Sequence, residues 1–193
     1  EVSSAGTGGG SLTFKNSSAV DTASANKAPT DITLSSLSIT ENASSLVIGT
    51  LTTTDSDQPS GRSFDYRIAE LPGTDYNSFS INQSTGELSL KASPNYEAKS
   101  SYKLTILSKD DGGKIFSKSF SVSVTNINEA PTISSTAVTS ATEDSNYSYT
   151  LIASDVDGGD SVTLSATVKP SWLSFNATTG VLSGTPTNDN VGS

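Results

Sequence analysis

Asn128-Glu129-Ala130-Pro131-Thr132 restates Asn26-Lys27-Ala28-Pro29-Thr30 at a distance of 102 residues. At the same distance, Ser140-Ala141-Thr142-Glu143 restates Ser38-Ile39-Thr40-Glu41, and Ser154-Asp155-Val156-Asp157 restates Thr54-Asp55-Ser56-Asp57 at 100. Leu173-Ser174-Phe175-Asn176 and Thr179-Gly180-Val181-Leu182 follow Phe79-Ser80-Ile81-Asn82 and Thr85-Gly86-Glu87-Leu88 at 94. Matches in one order and at nearly one spacing mark a tandem repeat, so the chain divides into modules. The expected division is 1–27 as a linker or the remnant of a preceding domain, 28–129 as a complete module and 130–193 as the N-terminal part of a second.

Module one reads as seven short strands. They fall near Ile32–Leu34, Leu37–Ile39, Leu46–Thr53, Phe64–Ile68, Phe79–Leu90 with an internal turn, Tyr102–Ser108 and Phe116–Val124. In the last two, Tyr102, Leu104 and Ile106, then Phe120, Val122 and Val124, alternate with polar residues, the period of a half-buried strand. Turn sequences separate the runs: Asp57-Gln58-Pro59-Ser60-Gly61, Leu71-Pro72-Gly73-Thr74, Ser84-Thr85-Gly86 and Asp110-Asp111-Gly112-Gly113. Their Gly, Pro, Asp and Ser residues favour turns for backbone reasons. No apolar stripe of helical period competes. The expected fold is all-β, tandem immunoglobulin-like Greek-key sandwiches.

The second copy is expected to be incomplete. Ser193 corresponds to about residue 99 of module one, so counterparts of Tyr102–Ser108 and Phe116–Val124 are missing. A sandwich without them exposes sheet edges and half a core, so this copy should be marginal here and complete in a longer parent. Trp172, Leu173, Phe175, Val181 and Leu182 are its expected core; a Trp beside Leu and Phe is a packing residue more often than a sugar platform. Upstream, 1–25 is rich in Gly, Ser, Ala and Thr, with Ser11-Leu12-Thr13-Phe14 as an expected short strand of the remnant; it has no basic start or apolar run of a signal peptide, so any export signal is expected to lie outside these residues.

Composition excludes several classes of function. Twenty acidic side chains against 11 basic ones give a formal charge of −9, which repels nucleic acid and anionic lipid. No apolar run is long enough to insert in a membrane. There is no Cys and no His, hence no disulfide framework, no thiolate nucleophile and none of the usual zinc sites. A carboxylate pair of glycosidase type is the remaining catalytic option, and Asp55 and Asp57 stand too close along the chain to span a glycosidic bond. The chain is expected not to be an enzyme.

The acidic pattern points to a cation. Asp55-Ser56-Asp57 and Asp155-Val156-Asp157 each set two carboxylates at i and i+2 just after a strand, where alternation points both the same way. Two such charges about 4 Å apart repel by roughly 4 kcal/mol at an effective dielectric of 20, and a divalent cation removes that cost. Calcium, which takes six to eight oxygens in flexible geometry, is the matching ion. A single Asp-x-Asp is more often a solvated turn, a reading that recurrence at matched positions weakens.

Glu41 after its strand, Asp55-Ser56-Asp57, Phe79-Ser80-Ile81-Asn82 leading to Thr85-Gly86-Glu87-Leu88, Asn95-Tyr96-Glu97, Tyr102-Lys103-Leu104-Thr105-Ile106 ending in Asp110, and Asn126-Ile127-Asn128-Glu129-Ala130-Pro131 together resemble a bacterial cadherin repeat. Pro170-Ser171-Trp172-Leu173-Ser174-Phe175-Asn176 with Thr179-Gly180-Val181-Leu182-Ser183-Gly184-Thr185-Pro186 is similar to the dystroglycan-type cadherin-like, or putative Ig, module of large surface adhesins. The resemblance implies cadherin-type sandwiches with Ca2+ held between neighbours. It assigns Glu41 and Glu97 of module one, Asn126, Asn128 and Glu129 of the linker and Asp155, Asp157 and Asp160 of module two to the central junction. Upstream it assigns Asn26, Asp55, Asp57 and Asp110. Asn95 and Asn126 stand where the family prefers Asp, and the upstream linker carries Lys27 in place of acid, which makes that site the lesser one.

The implied function is an extracellular, cell-surface adhesion or spacer module rigidified by calcium. Its partners would be the neighbouring sandwich modules of the same chain and a cell-surface protein or glycan. The competing reading is an accessory or carbohydrate-binding module of a secreted polysaccharide-degrading enzyme. It requires an aromatic row, and Tyr66, Tyr76, Tyr147 and Tyr149 are scattered.

Overall fold

The computed structural model describes residues 25–58 and 62–190. The expected strand at Ser11-Leu12-Thr13-Phe14, nearly all of 1–27 and the Pro59-Ser60-Gly61 part of its turn lie outside the described residues.

Module one is two four-stranded sheets face to face. One has the order β1 (Asp31–Leu34), β3 (Val47–Thr54), β6 (Glu87–Leu90), β5 (Phe79–Ile81). The other runs β2 (Ser38–Thr40), β8 (Ile115–Thr125), β7 (Ser101–Lys109), β4 (Asp65–Ile68). All neighbours are antiparallel except β2 and β8, which run parallel from Ser38↔Ser123 to Thr40↔Thr125. Each expected run is a strand, except that the 79–90 run is two, β5 and β6, parted at Asn82–Gly86. Gly86 closes that turn at φ +72, its N–H donating to the Asn82 carbonyl (2.8 Å). A left-handed backbone is steeply unfavourable for a residue with a Cβ.

The core follows from the alternation. Leu104 and Ile106 of β7 and Phe120 and Val122 of β8 meet Ile32, Leu51, Phe79 and Leu88 of the facing sheet in one buried cluster. Each such side chain contributes about 1.5–3 kcal/mol on burial. Phe79 packs edge-on against Tyr102 at 5.8 Å between ring centres. Polar groups in the layer are paired: buried Ser108 shares a hydrogen bond with Thr53 (2.7 Å), whose hydroxyl also bonds Tyr66 Oη (3.0 Å).

Module two reproduces only the first sheet of this plan among the described residues. β9 (Thr132–Ile133) pairs with β11 (Ala153–Ser154), and β10 (Tyr147–Thr150), β13 (Val181–Gly184) and β12 (Ser174–Asn176) form the sheet β10-β13-β12. The counterpart of β3 is thus broken into β10 and β11. No strand in 130–190 takes the place of β7 or β8.

The expected core of module two is corrected by this. Leu173 is buried, but Trp172, Phe175, Val181 and Leu182 are half-exposed, because no second sheet lies over them. Trp172 stacks edge-on with Tyr147 at 5.8 Å, and a Cβ on Gly184 would overlap the Trp172 carbonyl. Ile133, Ile152 and Val168 face solvent. No helix among the described residues is long and apolar enough to cross a membrane.

Candidate metal centre

Glu41 stands where β2 stops. Its N–H extends the parallel ladder to the Thr125 carbonyl (3.0 Å), and Asn42 then turns the chain at φ 53, its N–H on the Pro94 carbonyl (3.0 Å). Asn tolerates this left-handed conformation better than most residues. The turn leaves Glu41 1% exposed. Its Oε1 accepts from Ile127 N (2.8 Å) and its Oε2 from Tyr96 N (2.9 Å). One carboxylate therefore ties the end of β2, the loop before β7 and the segment leaving β8, through charge-assisted bonds roughly twice as strong as neutral ones.

Around it a first trio forms. Carboxylate oxygens of Glu41, Glu97 and Glu129 lie within 4.8 Å of one another. Asn42 Nδ2 donates to Glu129 Oε1 (2.7 Å), while Glu129 Oε2 is buried with no hydrogen-bond partner. Burial, then the charges of Glu41, Glu97 and Asp157, push the Glu129 carboxyl above its ordinary value, opposed by the Asn42 amide.

Asp155, Asp157 and Asp160 form a second trio at the same 4.8 Å spacing. Asp157 is 8% exposed and accepts from Glu129 N through Oδ2 (2.7 Å). Its own N–H donates to Asp155 Oδ1 (3.0 Å), and Asp160 N donates to its carbonyl (3.2 Å). Glu129 thus belongs to one trio by its side chain and touches the other by its backbone. Oxygens sharing one calcium at 2.3–2.6 Å stand at most about 5 Å apart, so either trio fits around such an ion. Asn126 and Asn128 are exposed on the linker, and Asn128 Nδ2 bonds the Glu129 carbonyl (2.9 Å).

The upstream end repeats half of this construction. Lys27 N donates to Asp57 Oδ2 (2.8 Å) and Asp57 N to Asp55 Oδ1 (3.2 Å), the bonds made by Glu129, Asp157 and Asp155 at the junction. Burial and the neighbouring Asp57 push the Asp55 carboxyl up, whereas the Lys27 N–H holds Asp57 below its ordinary value. Asp110 is 4% exposed and accepts from Lys114 N (2.7 Å) and Asn26 Nδ2 (3.1 Å). Asp55 Oδ2 and Asp57 Oδ1 are buried without partners.

Two residues escaped the sequence reading. Asn42 works through its backbone angle and amide, not through charge; the signal available was its counterpart Asp144, which takes φ 55 and donates its N–H to the Pro186 carbonyl (2.9 Å). Gln58 sits beside Asp57 with Nε2 buried and unpartnered, and no pattern in the chain marks it.

Residues 35–127 match the family model described as "Cadherin domain", and residues 130–193 match "Putative Ig domain". Residues 35–127 are a cadherin domain. Both matched families are non-catalytic. Two crystal structures of human protocadherin-24 EC1-2 share the fold of the cadherin domain and its successor. One is 21% identical with a TM-score of 0.55, covering 84% of this chain and 79% of that one. The second crystal form is 19% identical at 0.56, covering 84% and 81%. Among curated proteins, "Serine-rich adhesin for platelets" of Staphylococcus aureus (strain MRSA252) is 31% identical over 140 residues, 72% of this chain. The chain spans 9% of that relative's length.

Proposed function

We propose that the cadherin domain and its successor are adhesion or spacer modules of a cell-surface protein, with a calcium site at their junction. One observation carries the reading: two carboxylate trios meet at Glu129, whose Oε2 is buried without a partner. Glu41, Glu97, Glu129, Asp155, Asp157 and Asp160 would hold the ion, with Asn126 and Asn128 offering amide oxygens from the linker. Bound calcium supplies positive charge that offsets the repulsion among these carboxylates.

The chain's own residues set the alignment. Glu41 fixes the exit of β8 through Ile127 N, Glu129 N fixes module two through Asp157, and Ala130-Pro131 leaves little backbone freedom between them. Without a cation, the like charges spread the two trios and the hinge flexes. Extracellular modules bind calcium with dissociation constants of about 10⁻⁴–10⁻³ M, so this device suits an extracellular setting. The name of the staphylococcal relative supports attachment to a cell-surface protein or glycan as the purpose of the array.

The test is a thermal melt with chelator and with millimolar calcium, on the wild type and on Asp155→Ala/Asp157→Ala. Calcium should raise the midpoint of the wild type and leave the double variant unmoved. Equal midpoints in all four conditions would remove the calcium site.

A further inference from the structure

β4 is the last strand of its sheet, with β7 on one side and no strand on the other. In an antiparallel ladder every second residue turns its N–H and C=O to the free side, and an edge left that way is a template for another strand. In β4 one such residue is Tyr66, and both of its groups are taken by a side chain from the opposite sheet. Gln83, on the turn between β5 and β6, accepts from Tyr66 N through Oε1 (3.2 Å) and donates from Nε2 to the Tyr66 carbonyl. A primary amide carries the donor and the acceptor of a peptide unit, so Gln83 fills the place of one residue of a neighbouring strand. The turn itself does not need it. The matching position in module two is Ala177, and that turn closes all the same, with Gly180 N on the Asn176 carbonyl (2.8 Å).

β4 contains no proline and no bulge, and its two charges offset each other, Arg67 lying 3.1 Å from Asp65. Its pattern is also self-complementary. Two copies of β4 set antiparallel about Tyr66 would exchange the Tyr66 bonds with each other, and Asp65 of each would stand opposite Arg67 of the other. We propose that the β4 edge is a self-pairing surface fitted to β4 of a second copy of this chain, and that Gln83 keeps it closed by standing in for that strand. Because Gln83 belongs to the same chain, it closes the edge without the loss of translational freedom that a second copy incurs. An array of like modules holds such edges at high effective concentration, where an internal guard matters most. The inference is independent of the calcium reading.

The experiment compares the full chain with Gln83→Ala in chelator, by sedimentation velocity and by amide hydrogen exchange at Tyr66 N, from micromolar to millimolar chain. Wild-type Tyr66 N should be protected to the same degree throughout. In Gln83→Ala its protection should fall at least about tenfold in dilute chain and return at high concentration as a dimer forms. Adding Arg67→Asp sets acid against acid in both halves of the pairing. Gln83→Ala/Arg67→Asp should therefore stay monomeric, with Tyr66 N open at every concentration. An unprotected wild-type Tyr66 N, a Gln83→Ala chain that keeps Tyr66 N protected when dilute or stays monomeric when concentrated, or a dimer that survives Arg67→Asp would each overturn the proposal.

Discussion

The cadherin domain and the module after it share a repeat, yet they share turns more completely than they share a core. Asn42 and Asp144 adopt the same left-handed angle and donate to Pro94 and Pro186. Gly86 and Gly180 close the same turn, with φ of +72 and +71, and accept from Leu51 N and Leu151 N (2.9 and 2.8 Å). Asp57 and Asp157 cap their linkers through the same backbone bond. Phe79, by contrast, is sealed at 2% exposure, whereas its counterpart Leu173 sits among half-exposed neighbours. Backbone hydrogen bonds at these turns and linkers persist without the second sheet, and packing does not.

The largest expected effect breaks the core side of this comparison. Phe79→Ala should cost about 3–5 kcal/mol of unfolding free energy, and Leu173→Ala about 2 kcal/mol, since its surroundings are already partly wet. Denaturant titration with a probe in each module reads both. Equal losses would mean that module two packs as fully as module one.

A second pair of substitutions sharpens the turn side. Glu41→Ala takes the charged acceptor from two part-buried N–H groups, Tyr96 and Ile127, at about 1–3 kcal/mol each. Glu143, the counterpart, is exposed, and Glu143→Ala should stay within about 0.5 kcal/mol. If Glu143→Ala proved as costly, the bonds that Glu41 makes would not be the source of its effect.

The acid side of the stability curve gives the smallest contrast. Burial alone would push Asp75 up, but hydrogen bonds from Lys99 Nζ (2.6 Å) and Lys103 N (2.8 Å) outweigh it and hold the carboxyl below its ordinary value. A carboxyl lowered in the folded state stabilises above its unfolded pKa, and that contribution disappears as pH falls through the lowered value. Acidification should therefore weaken module one, and Asp75→Asn should flatten that limb by less than about 1 kcal/mol, as expected for a partly exposed pair. The corresponding position in module two is Lys169, whose ammonium donates to the Leu173 carbonyl (2.7 Å), so the contribution of Asp75 has no counterpart there.

The strands were legible because alternation is local: the run expected at Leu46–Thr53 is β3 at Val47–Thr54, and that at Phe116–Val124 is β8 at Ile115–Thr125. The paired aspartates were legible for the same reason, being two residues apart. Alternation tells which face a side chain takes but not what lies over it, which is why Trp172 was expected in a core it only half enters. The grouping of the acids into two trios was not legible either. Glu41, Glu97 and Glu129 meet only once β2, the loop before β7 and the end of β8 are packed at one end of the sandwich. Asn42 escaped because its contribution is an angle and an amide, which charge patterns do not report.

The parallel pairing of β2 with the tail of β8 has a mechanical consequence. Leu37 O to Ser123 N and Glu41 N to Thr125 O bracket three aligned rungs between the entering and the departing chain. Tension applied through residues 30 and 126 loads those rungs sideways and together, so they must rupture as a set, whereas an antiparallel hairpin pulled from its open end would peel one rung at a time.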